Sequence, residues 1–370
     1  MEFNHLSFYV DAVAPWRDWF VNAWGGVLVT PTASDTSAPT PTDQALVLVG
    51  QVPLLLLANH PVVASYLSQH PAGIGDVALR VRDLDQTLAR VVAAGGTVAQ
   101  PSQADAWGRG RWAQIQGWGS LRHTLVESWQ TAVWVPAIAP SLLPTASPMV
   151  STISAIDHAV VNVPAGELSQ AVDWYQRQLG FCPQQQFVID TPRSGLRSQV
   201  LAHPEGNAQL PINEPATANS QVQEFLNFNQ GSGIQHVALH TDDIVCTVEH
   251  LRAGGVSFLS VPPSYYEALR QRPGYWLTGD TPSSWLRQRE AAIAQLQILV
   301  DWDPHLPQAR LLQTFTQPFL NIPTVFFELI QRQVVWANGD ETRAQGFGER
   351  NFQALFEAIE REQMKRGSLA

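Results

Sequence analysis

The chain has 370 residues, which is long enough for two domains, and its 45% hydrophobic content allows each domain a buried core. Lys and Arg number 22 against 32 Asp and Glu, and the net charge of -10 disfavours nucleic acid or an anionic membrane as a partner. No apolar stretch approaches membrane-spanning length, and the first residues, MEFNHLSFYVDAVAPW, lack the basic and apolar regions of a signal peptide.

The small number of cysteines bears on the cellular compartment and on the kinds of metal site that the chain could hold. Only Cys182 and Cys246 occur, which argues against a disulfide framework and removes zinc fingers and iron–sulfur clusters. Both cysteines are expected to be small buried side chains. Their low number fits a reducing compartment, and we therefore expect a cytoplasmic protein.

In chain order, the predicted elements form a repeat. The segment from Asn4, NHLSFYVDAVAPWRDWFVNAWGGVLV, can be laid over that from Asp157, DHAVVNVPAGELSQAVDWYQRQLGFCP. A clearer pair is IGDVALRVRDLDQTLARVVAAGGTV from Ile74 and IQHVALHTDDIVCTVEHLRAGGVSF from Ile234. Each copy predicts a strand, then a helix with apolar residues three and four apart, then a Gly. Each half of the chain is thus predicted to hold two strand–helix–strands units.

Composition places the domain boundaries. The uncharged segment from Val135 to Met149, rich in Pro, Ser and Ala, predicts a linker between a first domain, residues 1–145, and a second, residues 152–370. A surface loop is predicted over Thr30–Thr42. The last predicted element is an amphipathic helix over residues 351–365.

Three polar residues lie on apolar strand-like runs of the second half: His158 in AIDHAVVNV, His236 in GIQHVALHT and Glu328 in TVFFELIQR. A lone buried His is more often a hydrogen-bonded core residue, but three ligand types at matching points indicate a shared divalent metal. Two His and one carboxylate are typical of non-haem ferrous oxygenases. Zinc hydrolases also use this set, commonly with H-E-x-x-H on one helix, and that motif is absent.

Over Ile156–Glu360 the chain resembles the 4-hydroxyphenylpyruvate dioxygenase family of the vicinal-oxygen-chelate superfamily. The motifs that carry the resemblance are IDHAVVNV, GLRSQVLAHPEG, PINEP, QEFLNFNQGSGIQHVAL, PPSYYEALRQR, LQILVDWD, LLQTFTQP, PTVFFELIQR and GFGERNFQALFEAIE. The resemblance implies an α+β fold of two vicinal-oxygen-chelate domains. Each would consist of two βαβββ modules in an open half-barrel, with a C-terminal lid helix on the second.

The resemblance also implies an activity. 4-Hydroxyphenylpyruvate and dioxygen would give homogentisate and carbon dioxide, in tyrosine catabolism or in the supply of quinone or tocopherol precursors. One Fe(II) per chain would be held by His158, His236 and Glu328. Because the substrate brings its own α-keto acid, no organic cofactor is expected. The first domain would carry no metal and would serve structure and oligomerisation, in a homo-oligomer that is a dimer or a tetramer.

Matching positions extend the site. Gln313, Asn213 and Gln235 would take catalytic roles, although Gln235 precedes His236 and on a regular strand would face the opposite side. The implied substrate pocket comprises Ser198, Asn213, Gln221, Gln235, Gln313, Phe315, Phe326, Phe347, Asn351 and Phe352. Each aromatic residue has core packing as its alternative interpretation.

The C-terminal motif departs from the family. Its usual Gly-Lys-Gly-Asn-Phe is here Gly348-Glu349-Arg350-Asn351-Phe352. Arg350 is expected to restrict the hinge backbone where the family has Gly, and Glu349 to reverse a charge near the entrance. Asn351 is also a candidate N-cap of the last helix.

Three alternatives stay open. 4-Hydroxymandelate synthase shares the substrate and the ligand set, but Pro211, Asn213 and Phe326 keep the dioxygenase pattern. A non-catalytic binding protein of the same fold is the second, because fold does not fix function. The third concerns the first half, where the repeat places a set of ligand types near the equivalent positions. That set could be a second metal site or, as we prefer, a degenerate copy: His5, Asp76 and Glu127.

Overall fold

A computed structural model describes residues 1–29, 42–131, 133–136, 138, 152–191, 193–275, 282–320, 322–337 and 339–367. The strands are β1 (Glu2–Tyr9), β2 (Val27–Val29), β3 (Gln44–Val49), β4 (Val52–Leu57), β5 (Gly73–Arg80), β6 (Val98–Ala104), β7 (Gly110–Gln116), β8 (Arg122–Ser128), β9 (Ile153–Asn162), β10 (Cys182–Asp190), β11 (Gly195–Ala202), β12 (Gln209–Pro215), β13 (Gly233–Thr241), β14 (Leu299–Trp302), β15 (Arg310–Phe315), β16 (Phe326–Arg332), β17 (Val334–Ala337) and β18 (Asp340–Arg343). The helices are α1 (Val13–Trp24), α2 (Pro61–Leu67), α3 (Leu84–Ala93), α4 (Leu168–Leu179), α5 (Gln221–Asn229), α6 (Ile244–Ala253), α7 (Pro263–Gln271), α8 (Pro282–Leu296) and α9 (Glu349–Arg366).

Two eight-stranded sheets repeat one topology. Their strand orders are β2-β3-β4-β1-β5-β8-β7-β6 and β10-β11-β12-β9-β13-β16-β15-β14. In each sheet two βαβββ modules meet at one antiparallel pair, β1 with β5 and β9 with β13. The modules close on themselves through parallel pairs such as β9 with β12 and β13 with β16. The predicted fold of paired modules in open half-barrels is confirmed.

The two faces of the second sheet have different roles. Ala159 and Val161 on β9, and Val163 just after it, belong to the main hydrophobic core, together with α4 residues such as Tyr175. Because side chains alternate along a strand, His158 and Val160 lie on the opposite, concave face. Helix α9 closes over this face, where its Phe356 joins a separate apolar cluster with Leu196, Val222, Phe225 and Leu226.

The first half of the chain supports a ligand-bearing strand of the second half. Phe327 on β16 is fully buried and follows the concave-face residue Phe326, so it faces the opposite way. Its ring packs against Trp24 of α1 at 4.8 Å and stacks on Phe319 at 5.2 Å. Trp19 of α1 stacks on the other side of Phe319, at 4.8 Å. This aromatic cluster holds β16 in place from the face opposite Phe326.

We expect Phe327→Ala to lower the free energy of unfolding by about 3–5 kcal/mol, because a large buried ring is replaced by a cavity. Val188, which is 65% exposed on β10, provides the control, and Val188→Ala should leave stability nearly unchanged. Urea denaturation of both variants measures the difference. Equal midpoints for the two would show that the cluster does not stabilise the second half.

Several local expectations need correction. The last helix runs from Glu349 to Arg366, against the predicted 351–365, and its N-cap is Gly348 rather than Asn351. Cys182 and Cys246 are exposed, whereas burial was expected. The hairpin β17–β18 was not predicted. Most of the predicted linker Val135–Met149 and of the loop Thr30–Thr42 lies outside the described residues. In the described part of the chain, no helix has both the length and the apolar character to cross a membrane.

Candidate active site

Three neighbouring strands bring the predicted ligands together. His158 lies on β9, His236 on β13 and Glu328 on β16, and the register pairs Ala238 with both His158 and Glu328. All three side chains are buried, and their ligand atoms lie within 4.8 Å of one another. Nε2 of His158 is 3.3 Å, and Nε2 of His236 is 3.7 Å, from Oε2 of Glu328.

Two β-bulges orient the imidazoles. The register between β9 and β13 skips Asp157 on one strand and Gln235 on the other. Each skipped residue turns its side chain to the histidine that follows it: Nδ1 of His158 lies 2.9 Å from Oδ1 of Asp157, and Nδ1 of His236 lies 3.2 Å from Oε1 of Gln235. Both Nε2 atoms therefore face Glu328. The bulge also removes the objection that Gln235 would point away from the site.

A buried ion pair stands behind His158. Arg332 donates from Nε and Nη2 to both carboxylate oxygens of Asp157, at 2.7 and 2.8 Å. Burial alone would raise the pKa of Asp157, but Arg332 and His158 outweigh it and hold the pKa far below its usual value. Asp157 is therefore ionised and keeps the His158 proton on Nδ1, as an outer partner of a metal-binding His does. Sequence reasoning missed Arg332 and the role of Asp157, although both lie in the quoted motifs.

The pKa values of the two histidines shift in opposite directions. Burial and the neighbouring His158 hold the pKa of His236 well below its usual value. For His158 burial acts in the same direction, but Glu328 and Asp157 outweigh it and raise the pKa to about 9. The cluster thus favours one positive charge beside Glu328. Two imidazole nitrogens and a carboxylate at these distances could hold a divalent metal in place of that positive charge, and this donor set suits ferrous iron.

Gln313 connects Glu328 to the lid helix. Its Nε2 donates to Oε1 of Glu328 at 2.8 Å and to the Phe347 carbonyl at 3.1 Å. Its Oε1 accepts from Nδ2 of Asn351 at 2.8 Å, and Tyr265 donates to Oδ1 of Asn351 at 2.9 Å. In this structure Gln313 positions Glu328, a candidate metal ligand, and Asn351 orients Gln313 rather than capping its helix. Tyr265, in the PPSYYEALRQR motif, was not predicted as a site residue.

The predicted polar pocket residues have unused hydrogen-bonding capacity. Oγ of Ser198, Oδ1 of Asn213 and Oε1 of Gln221 are buried without a hydrogen-bond partner in the described part of the chain. Ser198 and Asn213 are cross-strand neighbours on β11 and β12. Gln221 begins α5 and, with Gln235 and Phe326, lines a cavity of about 340 Å³. Buried polar atoms normally find partners, so these atoms indicate a polar ligand.

Aromatic rings enclose the imidazoles. Phe326 stacks on His236 with ring centres 4.8 Å apart, and Phe315 meets the same ring edge-on at 6.4 Å. Phe347 packs edge-on against His158 at 5.0 Å. Phe352 is the exception among the predicted aromatics, because its ring packs against Phe187 of β10, at 5.6 Å. The first three rings keep water from the ligand cluster.

The hinge before α9 uses glycines that the family motif shares. Gly348 has φ +71°, and a Cβ there would meet Oε1 of Gln313 at 2.2 Å, so no other residue fits without displacement. Arg350, expected to stiffen the hinge, lies within α9, where its backbone N–H donates to Asp301 at 3.2 Å. That expectation was wrong, because the left-handed position is 348. The Glu349 side chain lies outside the described residues.

The predicted ligand set of the first half is not assembled. Register makes Thr124, not Glu127, the equivalent of Glu328, because Asp76 pairs with Arg122 where His236 pairs with Phe326. Asp76 accepts from Thr124 Oγ1 at 2.6 Å and from its backbone N–H at 2.9 Å. Glu127 instead binds Arg111 at 2.8 Å. These contacts favour the interpretation as a degenerate copy.

We therefore expect one metal ion per chain and an unchanged content in His5→Ala, because His5 has lost the partners that a ligand set needs. Inductively coupled plasma mass spectrometry of protein reconstituted with Fe(II) without oxygen measures this. Two ions in the unmodified chain, with one lost in His5→Ala, would contradict the assignment.

Comparison with known proteins agrees with this geometry. Residues 155–273 match the model of the Glyoxalase/Bleomycin resistance protein/Dioxygenase superfamily. A solved triple mutant of 4-hydroxymandelate synthase from Streptomyces coelicolor superposes with a TM-score of 0.80 at 26% identity, covering 98% of both chains. Fold and site thus define a vicinal-oxygen-chelate protein with a candidate two-histidine, one-carboxylate metal centre.

The curated relatives identify the family within this superfamily. The 4-hydroxyphenylpyruvate dioxygenase of Caenorhabditis briggsae is 35% identical over 99% of this chain and 93% of its own length. That of Yarrowia lipolytica is 36% identical over 83% of this chain and 76% of its own. The chain belongs to the 4-hydroxyphenylpyruvate dioxygenase family.

Proposed function

We propose that the protein is a cytoplasmic Fe(II)-dependent dioxygenase that converts 4-hydroxyphenylpyruvate and dioxygen to homogentisate and carbon dioxide. The observation that carries the proposal is the buried group of His158, His236 and Glu328 beside unpaired polar pocket atoms. The names of the curated relatives support the substrate.

His158, His236 and Glu328 would hold the ion, and Gln235 and Phe326 beside them line the cavity. When bound, Fe(II) would supply a centre at which a chelating α-keto acid and dioxygen react. Asp157 and Gln235 orient the two imidazoles through contacts with Nδ1, and Gln313 fixes the Glu328 carboxylate. The protein's share of the catalysis is thus to hold the donor atoms in place before substrate arrives.

Substrate binding would use both kinds of pocket wall. Phe326 and Phe315 beside His236 offer faces and edges for the aromatic ring. Ser198 and Asn213 would bind the polar end of the ring, while Gln221 and Gln235 line the adjoining cavity. With α9 closed over the face, these groups exclude water and set which ring carbon lies nearest the metal.

4-Hydroxymandelate synthase activity is the alternative function. The structural similarity to a mutant of that enzyme is the reason to retain this alternative. Both reactions begin from the same substrate, and the pocket decides which carbon is oxidised. Asn213 and Phe326, which match the dioxygenase pattern, favour homogentisate. Chromatography of the product formed from 4-hydroxyphenylpyruvate under oxygen tests this. Homogentisate supports the proposal, and hydroxymandelate replaces it with the alternative.

We also propose that residues 1–145 form a metal-free domain that mediates contact between copies in a dimer or tetramer. Large hydrophobic side chains are exposed there, among them Trp129 at 62% and Val92 at 60%. Light scattering should give two or four times the chain mass of 40.7 kDa. A mass of one chain at micromolar concentration would contradict this proposal.

A further inference from the structure

Asn162, at the end of β9, has an unusual environment. Its exposed fraction is 0%, and neither Oδ1 nor Nδ2 has a hydrogen-bond partner in the part of the chain that the structure describes. Leaving a buried amide unpaired is unfavourable, because the group has lost its hydrogen bonds to water. A side chain with both polar atoms unpaired therefore indicates a ligand that supplies an acceptor and a donor.

Asn162 continues the row of pocket residues already described. The register pairs Ser198 with Asn213 and Asn213 with Asn162, on the adjacent strands β11, β12 and β9. Directly opposed residues share a sheet face, and Asn162 alternates with the core residues Val161 and Val163. The row therefore crosses the concave face and carries unpaired polar atoms on all three strands.

The position of the row matches one end of the proposed substrate. Asn162 follows His158 by four residues on the same strand and face, which separates their backbones by about 13 Å. A keto acid bound at the ligand cluster would direct its ring away from the metal, toward this row. The ring hydroxyl is the group at that end that can both donate and accept.

The first sheet shows how the same position is filled where the described residues assemble no ligand set. Asn162 pairs with Gly233, and its equivalent Tyr9 pairs with Gly73. The Tyr9 ring packs edge-on against Tyr66 of α2 at 5.3 Å and occupies that space. The second sheet has a shorter amide side chain at this position.

We infer that Asn162 is a specificity-determining residue that binds the ring hydroxyl of the substrate together with Ser198 and Asn213. The inference rests on the proposed function. Oδ1 of Asn162 accepts the hydroxyl proton, and Nδ2 donates to the hydroxyl oxygen. A substrate without this hydroxyl leaves the amide unpaired, which is how a polar pocket rejects an apolar analogue.

The test compares 4-hydroxyphenylpyruvate with phenylpyruvate, which lacks only the ring hydroxyl. We expect Asn162→Leu to lower kcat/KM for 4-hydroxyphenylpyruvate by about 10–100-fold and to change that for phenylpyruvate by less than about threefold. Asn162→Asp keeps an acceptor in the same volume, so its kcat/KM for 4-hydroxyphenylpyruvate should fall less. This variant tests the inference if Asn162→Leu misfolds. Val160→Ala, on the same strand and face, is the apolar control and should leave the ratio of the two values unchanged.

The outcomes separate this inference from the proposed function. An unmodified protein that leaves 4-hydroxyphenylpyruvate unchanged overturns both. If the unmodified protein makes homogentisate and the Asn162 variants retain its substrate ratio, only the inference fails. Equal losses for both substrates in the Asn162 variants also overturn it, because they indicate a structural role.

Discussion

We expect Glu328→Ala to lose bound iron and to lower turnover by about 10³-fold or more. Removing the carboxylate leaves two buried imidazoles, which repel each other's charge and offer a cation too few donors. A bound metal stabilises the transition state by several kcal/mol, and losing that stabilisation lowers the rate by a factor of about this size. Oxygen uptake and metal content together measure the effect.

Glu341→Ala is the matched control, because Glu341 is an exposed carboxylate on β18, close in sequence but outside the cluster. It should retain both iron and turnover. Iron retained at one ion per chain in Glu328→Ala would show that the cluster is not the metal site.

The second large effect is expected at Asp157. Asp157→Asn removes the charge that pairs with the buried Arg332, and breaking a buried pair from one side costs about 3–5 kcal/mol of stability. It also loosens control of the His158 ring, and changes to such outer partners typically weaken metal binding by about 10–100-fold. Urea denaturation and competition with a metal-binding dye measure the two losses.

Asp173 and Arg177 supply a matched surface pair on α4, where both side chains are at least half exposed. Asp173→Asn should change neither stability nor metal affinity appreciably, because exposed pairs contribute little. If Asp157→Asn behaves like Asp173→Asn, the ion pair behind His158 does not position the ligand.

The fold could be predicted from the sequence because the βαβββ pattern occurs four times. The spacing of apolar residues in its strands also differs clearly from that in its helices. It also identified His158, His236 and Glu328, because a charged residue within an apolar strand is conspicuous. The same reasoning failed for Glu127. Strand register, set by backbone pairing rather than by residue type, makes Thr124 the equivalent position.

Other features depended on geometry that residue patterns do not contain. A β-bulge turns Gln235 toward His236, and no local sequence signal shows where the hydrogen-bond ladder between two strands skips a residue. Arg332 and Tyr265 reach the site across long sequence separations, so only the folded chain shows their contacts with Asp157 and Asn351. Asn162 was overlooked because an Asn at a strand end is ordinary until its buried amide is found unpaired.

The central claim is that His158, His236 and Glu328 hold an iron that an α-keto acid can reach. Its most direct test is the visible spectrum recorded without oxygen, as Fe(II) and then 4-hydroxyphenylpyruvate are added. We predict a visible absorption band that requires both additions in the unmodified protein and is missing in Glu328→Ala. No band in the unmodified protein, or an equal band in Glu328→Ala, would contradict the claim.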